Sequence, residues 1–413
     1  MIQITRPLEV ASDIEISLPA SKSISNRLLI LQAFEPRIII QNLSDSNDTL
    51  VLQRAFKVLS TPTNSVYELD VEDAGTAFRF LLAYCAGRDG IYRLDGTSRL
   101  QQRPIKELVE SLRELGAKIE YEVQEGYAPL RIYGTELQGG TIGIDASVSS
   151  QFISSLILIG WRMPKGLRIQ LNGQVVSDDY IHMTIQLLEY FGVCVTRTKD
   201  LIEVAYRDAL VPKSFEVERD WSGAGYFYAL MLGLKKGRIL LSGLTKSHMQ
   251  ADAVIVSYGE KMGIRTDFSA AGAHIYYQPI DAPALGMFNC LSCPDLAQTI
   301  MVMCCLEGIS GIFEGLETLL VKETNRIEAM GIELKKIGWE LQQRGNQFML
   351  HPTKRKDNLP ILFSTYKDHR MAMALSAFSA VEDIYIEEEE VVHKSFPFFW
   401  QQLVTLGFKI TQV

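Results

Sequence analysis

At 413 residues the chain is longer than one ordinary hydrophobic core supports, so two domains are expected, each able to bury its own interior. Apolar residues at 47%, charged residues at 22% and ordinary glycine and proline contents exclude a disordered or fibrous chain. A net charge of −8 with no Lys/Arg-rich block excludes nucleic acid as the expected partner, yet leaves room for small anions in a locally basic cleft.

The first residues, Met1 to Pro7, lack the apolar core and small-residue cleavage pattern of a signal peptide. Apolar stretches near residues 153–161 and 300–306 fall short of a membrane span. A cytoplasmic protein without membrane association is expected. Cys304 and Cys305 sit in an apolar helical run, and Cys290 and Cys293 form a lone C-x-x-C with no second pair and no nearby His. A structural role is favoured over zinc, in a reducing compartment. No long exposed apolar stripe asks for an obligate partner, so a monomer is the expectation.

The first informative stretch is Pro19-Ala20-Ser21-Lys22-Ser23-Ile24-Ser25-Asn26-Arg27, followed by Leu28-Leu29-Ile30-Leu31. Hydroxyl residues, one Lys and one Arg surround the start of an apolar helix, where free N–H groups and the helix dipole already favour an anion. A serine N-cap on an ordinary surface helix is the plainer reading of this stretch taken alone.

Further along, one pattern recurs with a period of roughly 70 residues, too long for a solenoid repeat and long enough for a subdomain. A strand, a loop and a helix lead to an apolar-Gly-apolar sequence and a second strand. Examples are Leu115-Gly116-Ala117, Phe191-Gly192-Val193, Met262-Gly263-Ile264, Ile337-Gly338-Trp339 and Leu406-Gly407-Phe408. The glycine reads as a helix C′ residue. The first unit has Val58-Leu59 in the same place without the glycine, and six units are expected in all.

Each unit also contains a helix that is apolar or small nearly all round, which predicts burial. These are expected at residues 23–34, 75–86, 150–161, 222–234, 295–306 and 368–380. Each opens on polar residues, in order Lys22/Ser23/Arg27, Asp73/Thr76/Arg79, Ser149/Ser150/Gln151, Asp220/Ser222, Asp295/Gln298/Thr299 and Asp368/His369/Arg370. Capping explains the hydroxyls and carboxylates. It does not explain Lys and Arg, which oppose the dipole at an N-terminus, and an anion between them is the expected answer. Arg99, Arg103, Lys322, Arg326 and Lys394 lie in similar polar stretches. Arg suits a two-point grip on phosphate or carboxylate and Lys a point charge, so several of each predict a substrate with more than one anionic group.

Taken together these stretches resemble the 5-enolpyruvylshikimate-3-phosphate (EPSP) synthase family over essentially the whole chain. The pieces are Lys22-Ser23…Asn26-Arg27, Ala74-Gly75-Thr76-Ala77…Arg79, Arg99…Arg103-Pro104, Ser149-Ser150-Gln151 and Ser177…Tyr180. They continue with Pro294-Asp295, Lys322-Glu323-Thr324…Arg326, Asp368-His369-Arg370-Met371 and Lys394-Ser395-Phe396-Pro397. The resemblance implies a two-lobed inside-out α/β barrel, each lobe three βαβαββ-type repeats with buried helices. One lobe would comprise residues 1–19 and 219–413 and the other residues 20–218, with the active site in the cleft between them.

The implied reaction moves the enolpyruvyl group of phosphoenolpyruvate to the 5-hydroxyl of shikimate 3-phosphate and releases phosphate, with no metal or organic cofactor. By the same resemblance, phosphoenolpyruvate meets Lys22, Gly75 through its backbone, Arg103, Gln151, Arg326, Arg370 and Lys394. Shikimate 3-phosphate meets Ser23, Arg27, Ser149, Ser150, Gln151, Ser177, Asp295 and Lys322. Asp295 and Glu323 are the implied acid–base pair, with Lys22 sharing proton transfer.

The chain departs from the family pattern at Glu72 and Asp73 (usually Gly-Asn), Phe80 (usually Pro), Thr318 (usually Asn), Leu320 (usually Arg) and Asn325 (usually Asp). Carboxylates at 72 and 73 would repel phosphoenolpyruvate unless they point away or pair with a cation. Two alternatives follow. A non-catalytic anion-binding homologue would suit Glu72, Asp73 and Thr318. A UDP-N-acetylglucosamine enolpyruvyl transferase would share fold and chemistry, but typically has Lys-Asn where Lys22-Ser23 stands and a loop cysteine absent from residues 95–104.

Overall fold

The computed structural model describes residues 1–7, 13–63, 65–281, 284–355 and 359–413. The chain folds into two compact units, one of Met1–Pro19 with Glu218–Val413 and one of Ala20–Val217.

In the Ala20–Val217 unit, the strand Tyr67–Asp70 is followed by the helix Gly75–Ala86 and the strand Gly90–Asp95, which pairs parallel with the first. A parallel pair needs such a crossover, and the helix supplies it. A second helix, Lys106–Glu114, leads to the antiparallel hairpin Lys118–Tyr121 and Leu130–Gly134, whose second strand adds to Gly90–Asp95. The design repeats with Gly140–Asp145, Leu167–Asn172, Leu201–Val204 and Val195–Arg197.

The other unit contains three such sheets. Leu285–Asn289, Ser310–Glu314, Gln347–Pro352 and Trp339–Arg344 form one wholly from local chain. In the second, Ile14–Ser17 pairs parallel with Arg238–Ser242, although the helix that follows it in the chain, Lys22–Phe34, lies in the Ala20–Val217 unit. In the third, Ile2–Thr5 lies antiparallel between Ile384–Ile386 and Lys409–Gln412, taking the place that the last hairpin strand fills elsewhere.

The six sheets match the six expected units in number, and the unit expected to lack the glycine differs from the other five. Among the described residues five sheets have four strands, and the sixth has two, Ile39–Gln41 parallel to Ser214–Glu216. The helix Asn47–Leu59 ends on Ser60, and among the described residues no hairpin follows before Tyr67. The missing glycine was the visible sign. Gly116, Gly192, Gly263, Gly338 and Gly407 all have φ between 81° and 102°, the left-handed turn that sends a finished helix sharply into an antiparallel strand. Ser60 stays at φ −79°.

Four expected buried helices appear as Lys22–Phe34, Gly75–Ala86, Ser150–Gly160 and Trp221–Leu234. The other two are interrupted. Pro294–Leu296 forms a 3-10 turn before Ala297–Glu307, and His369–Leu375 tightens into the 3-10 segment Ser376–Ala380. Ser376 and Ser379 donate back to the carbonyls of Met373 and Ser376, at 2.7 and 2.6 Å, which competes with regular helix there.

The core is made by these helices. In Trp221–Leu234 every residue except Ser222 and Gly233 is buried. The strands alternate buried and exposed positions, so in each unit the sheets carry the outer face. An all-round buried helix cannot leave its first N–H groups to water. Asp220, Ser149 and Asp368 accept from Gly223, Gln151 and Arg370 at 2.7, 3.3 and 2.9 Å, and each helix thus begins on a fixed polar cluster.

Candidate active site

The polar clusters divide between the two units. In Ala20–Val217, Lys22 in the first turn of its helix donates to Asp48 Oδ2 at 3.1 Å. Asp48 is buried and lies in the first turn of Asn47–Leu59, so a helix start supplies the carboxylate as well. Sequence reasoning missed Asp48. The signal available was its place after Ser46 at a helix start.

One turn beyond Lys22, the Arg27 side chain is only 2% exposed. It donates through Nε to Thr184 Oγ1 at 2.7 Å, through Nη1 to the Ser23 carbonyl at 2.9 Å, and through Nη2 to Ser154 Oγ and the Tyr180 carbonyl at 3.2 and 3.0 Å. All four acceptors are neutral. The guanidinium lies over the ring of Phe80 at 5.3 Å and over Tyr180 at 5.9 Å. Burial lowers its pKa to about 10, with Tyr180 acting in the opposite direction.

Gly75 opens its helix with two guanidinium groups above its Cα. A Cβ at this position would collide with Arg103 Nη1 and meet Arg79 Nη1 at 2.9 Å. Gln151 reaches the same turn, donating from Nε2 to Thr76 Oγ1 at 3.2 Å, while its buried Oε1 and the buried Nε of Arg103 have no partner among the described residues. Arg79 Nη1 donates to the Gly75 carbonyl at 2.9 Å, so the protein's own backbone answers one of the two guanidinium groups. Ser149 caps and Ser150 begins the helix carrying Gln151. Ser177, buried and at φ 52°, precedes the helix Asp178–Tyr190, whose Tyr180 carbonyl is held by Arg27.

The second cluster, in the unit of residues 1–19 and 218–413, joins six expected site residues in one network. Asp295 accepts from Arg326 at 3.1 Å and Arg370 at 2.8 Å, with Lys322 Nζ at 3.9 Å. Glu323 accepts from Arg326 at 2.9 Å and lies 3.4 Å from Lys394 Nζ. Asp368 adds a third carboxylate, 2.7 Å from Arg326 Nε. Burial works against the charge of Arg326, but Asp368, Glu323 and Asp295 together overcome it and raise its pKa.

Here the charge of the cations, for which an anion between them is expected, is already answered by protein carboxylates. The Asp295 carboxylate lies on Arg326 and Arg370, while Cys293 stands at the cap of the 3-10 turn. Asp252, not anticipated from sequence, is a buried carboxyl hydrogen-bonded by Ser222. Burial, then the charge of Asp295, push its pKa up to about 7.

Four of the six departures from the expected pattern have local partners in the structure. Glu72 lies 2.6 Å from Arg54 and accepts from Asn47 Nδ2 at 2.8 Å, so its charge is answered by a neighbouring cation. Asp73 accepts from the Thr97 hydroxyl. Phe80 forms the surface beneath Arg27. Asn325 caps the helix Arg326–Lys335, accepting from Glu328 N at 3.3 Å, as the expected Asp would. Leu320 is exposed and the Thr318 hydroxyl is buried without a partner among the described residues; nothing in the structure explains either substitution.

Among the described residues no group of three His, Cys, Asp or Glu side chains is placed to hold a metal ion, and no helix is long and apolar enough to cross a membrane.

The family model described as "EPSP synthase (3-phosphoshikimate 1-carboxyvinyltransferase)" matches residues 8–403. A 3-phosphoshikimate 1-carboxyvinyltransferase of Bacteroides fragilis (strain YCH46) is 40% identical over 399 residues, covering 96% of this chain and 95% of that protein. Its counterpart from Vibrio cholerae serotype O1 (strain M66-2) is 32% identical over 426 residues, covering 97% and 98%. An EPSP synthase structure from Acinetobacter baumannii superposes with a TM-score of 0.76 over 100% of both chains at 20% identity, which shows the shared fold. Full-length matches of this kind leave one assignment, and the chain belongs to the EPSP synthase family.

Proposed function

We propose that this chain acts as a 3-phosphoshikimate 1-carboxyvinyltransferase, moving the enolpyruvyl group of phosphoenolpyruvate onto the 5-hydroxyl of shikimate 3-phosphate with release of phosphate. The observation that carries this reading is the 40% identity to the Bacteroides fragilis transferase across 96% of the chain.

Both substrates are polyanions, and bringing them together costs Coulomb energy that fixed cations offset. Phosphoenolpyruvate is assigned to Lys22, the Gly75 backbone, Arg103, Gln151, Arg326, Arg370 and Lys394. Shikimate 3-phosphate is assigned to Ser23, Arg27, Ser149, Ser150, Gln151, Ser177, Asp295 and Lys322. The convergence of Arg103 and Arg79 on Gly75 supports the first assignment, and the neutral surroundings of Arg27 support the second.

In this reading the 5-hydroxyl loses its proton and adds to C2 of phosphoenolpyruvate while C3 gains a proton. The tetrahedral intermediate then expels phosphate and gives up a C3 proton, restoring the enol ether. Asp295 and Glu323 serve as the acid–base pair with Lys22 sharing proton transfer, and Arg326, bonded to both carboxylates, fixes their relative position. No metal or organic cofactor is required. A cytoplasmic location and a monomeric state belong to the same reading and are drawn from the family and the composition.

The test is phosphate release from phosphoenolpyruvate by purified protein, with shikimate 3-phosphate in one sample and UDP-N-acetylglucosamine in another. Release with shikimate 3-phosphate alone, lost in Lys22→Ala and Asp295→Ala, is expected. Release only with the nucleotide sugar, or none from folded protein, would overturn the assignment.

A further inference from the structure

The turn that leads to Asp368 and Arg370 has an uncommon backbone. Tyr366 and Lys367 stand side by side at φ 54° and 55°, in the left-handed region that bulky residues rarely enter. Two consecutive residues of this kind persist only where the surroundings over-determine them. The strand Ile361–Phe363 enters the turn, and the helix His369–Leu375 leaves it with Asp368 as its cap.

One helix holds both ends of this turn. Arg326, the first residue of Arg326–Lys335, takes Asp368. Two helical turns further on, and therefore on the same face, Glu333 takes the other end. Glu333 is fully buried, accepting from the Tyr366 hydroxyl at 2.9 Å through Oε1 and from the Ser364 amide at 3.1 Å through Oε2. Lys336 Nζ, 2.7 Å from the same Oε2, supplies a countercharge and also donates to the Leu362 carbonyl at 2.7 Å. A carboxylate taken wholly out of water must be answered by charge and hydrogen bonds, and here the turn provides two of its donors. Within the turn, Thr365 Oγ1 accepts from Lys367 N at 3.3 Å and the Thr365 carbonyl from Asp368 N at 2.9 Å.

We propose that Glu333 is a positioning residue for the Arg326–Asp368–Arg370 group, acting through Tyr366: its carboxylate holds the left-handed turn, and the turn sets where Asp368 and Arg370 stand. The inference deepens the proposed function and rests on it, since there Arg326 and Arg370 receive phosphoenolpyruvate and Arg326 fixes Asp295 and Glu323. Neither Glu333 nor Tyr366 touches substrate.

The test is steady-state kinetics of Tyr366→Phe, which removes only the hydroxyl, of Glu333→Gln, and of the double variant, at a temperature where circular dichroism shows each to be folded. In Tyr366→Phe, kcat/KM for phosphoenolpyruvate should fall about tenfold, the worth of one hydrogen bond to a carboxylate. Glu333→Gln should lose at least as much, and the double variant should lie within about twofold of Glu333→Gln, because both changes remove the same link. KM for shikimate 3-phosphate should stay within about twofold, since Ser23, Arg27, Ser149, Ser150 and Ser177 lie in the other unit. A merely structural Glu333 would lower the unfolding midpoint and leave kcat/KM of the folded variants unaltered. That result, losses that multiply in the double variant, or equal rises in both KM values would each overturn the proposal. Should Glu333→Gln not fold, Tyr366→Phe decides alone. Wild-type turnover in the same assay keeps the two questions apart: its absence overturns the proposed function and this inference with it, while its presence beside an unaltered Tyr366→Phe variant overturns only the role of Glu333.

Discussion

Arg326 and Asp368 form a two-point ion pair, Nε to Oδ2 at 2.7 Å and Nη2 to Oδ1 at 3.3 Å, with the arginine 1% exposed and the aspartate fully buried. The same arginine holds Asp295 and Glu323, so a carboxylate outside the expected site fixes the cation that orders the expected acid–base pair. Removing one partner of a buried pair leaves an uncompensated charge in the interior. Asp368→Ala should lower the stability of its unit by about 3–5 kcal/mol and abolish turnover. Chemical denaturation followed by circular dichroism checks the first, and phosphate release checks the second.

Lys22 and Asp48 are a second pair, with Lys22 slightly more open to solvent. Asp48→Ala should cost less stability than Asp368→Ala, about 1–3 kcal/mol, because water reaches the lysine that is left. It should also lower kcat/KM at least about tenfold, since Lys22 loses the group that aims it. Asp48→Asn should fall between the two. A Lys22 that worked without its partner would leave kcat/KM of Asp48→Ala near the wild-type value.

Glu72 tests whether a carboxylate near the Gly75 helix start impairs the enzyme. Its pairing with Arg54 is exposed on both sides, and such pairs contribute about 0–1 kcal/mol. Glu72→Ala should therefore change stability little and KM for phosphoenolpyruvate by less than about fivefold, a span equivalent to that energy. A large fall in KM would mean that Glu72 does repel the substrate.

Phe80 lies beneath Arg27, whose hydrogen-bond acceptors are all neutral. Phe80→Leu keeps an apolar side chain of similar bulk and removes the ring face, worth about 0.5–2 kcal/mol to a buried cation. KM for shikimate 3-phosphate should rise about 3- to 10-fold while that for phosphoenolpyruvate changes less. Equal rises in both would assign Phe80 to packing of the helix alone.

Asp252 makes stability depend on pH. Its folded-state pKa, about 7, lies above the unfolded value of about 3.9, so the folded state binds this proton more tightly. Its contribution is complete below the unfolded value and is lost as pH rises toward 7. Asp252→Asn, which stays neutral, should gain stability relative to wild type more at pH 8 than at pH 5. Urea denaturation at the two pH values measures the difference, and an equal shift at both would show that Asp252 does not titrate in this window.

Much of the site was legible because a few residue types stand at helix starts where capping alone cannot account for them. Lys22, Arg27 and Arg370 stood out as cations in such positions, and Arg103 and Arg326 as cations in similar polar stretches. Asp48 and Asp252 did not, since a single aspartate near a helix start has the ordinary meaning of a capping or dipole residue. Their partners identify them: Asp48 meets a lysine 26 positions away and Asp252 meets Ser222 from a different element. Phe80 stood out in the sequence only as a departure from the family's usual Pro, and the fold sets it against a buried charge.

By itself the sequence determined the repeat, the all-round apolar helices, the glycines that turn helices into hairpins, and the family. These depend on periodicity, local backbone preference and residue type, all of which are local properties of the chain. Tertiary structure alone decided which carboxylate answers which cation, with Arg326 drawing on Asp295 and Asp368 from 31 and 42 positions away and Arg370 reaching Asp295 across 75. It also decided that Ile14–Ser17 and Ser214–Glu216 join sheets remote in sequence. The physical reason is that ion pairs and strand pairings form between whatever groups the packed helices and sheets bring within a few ångströms, and that proximity is a property of the folded chain.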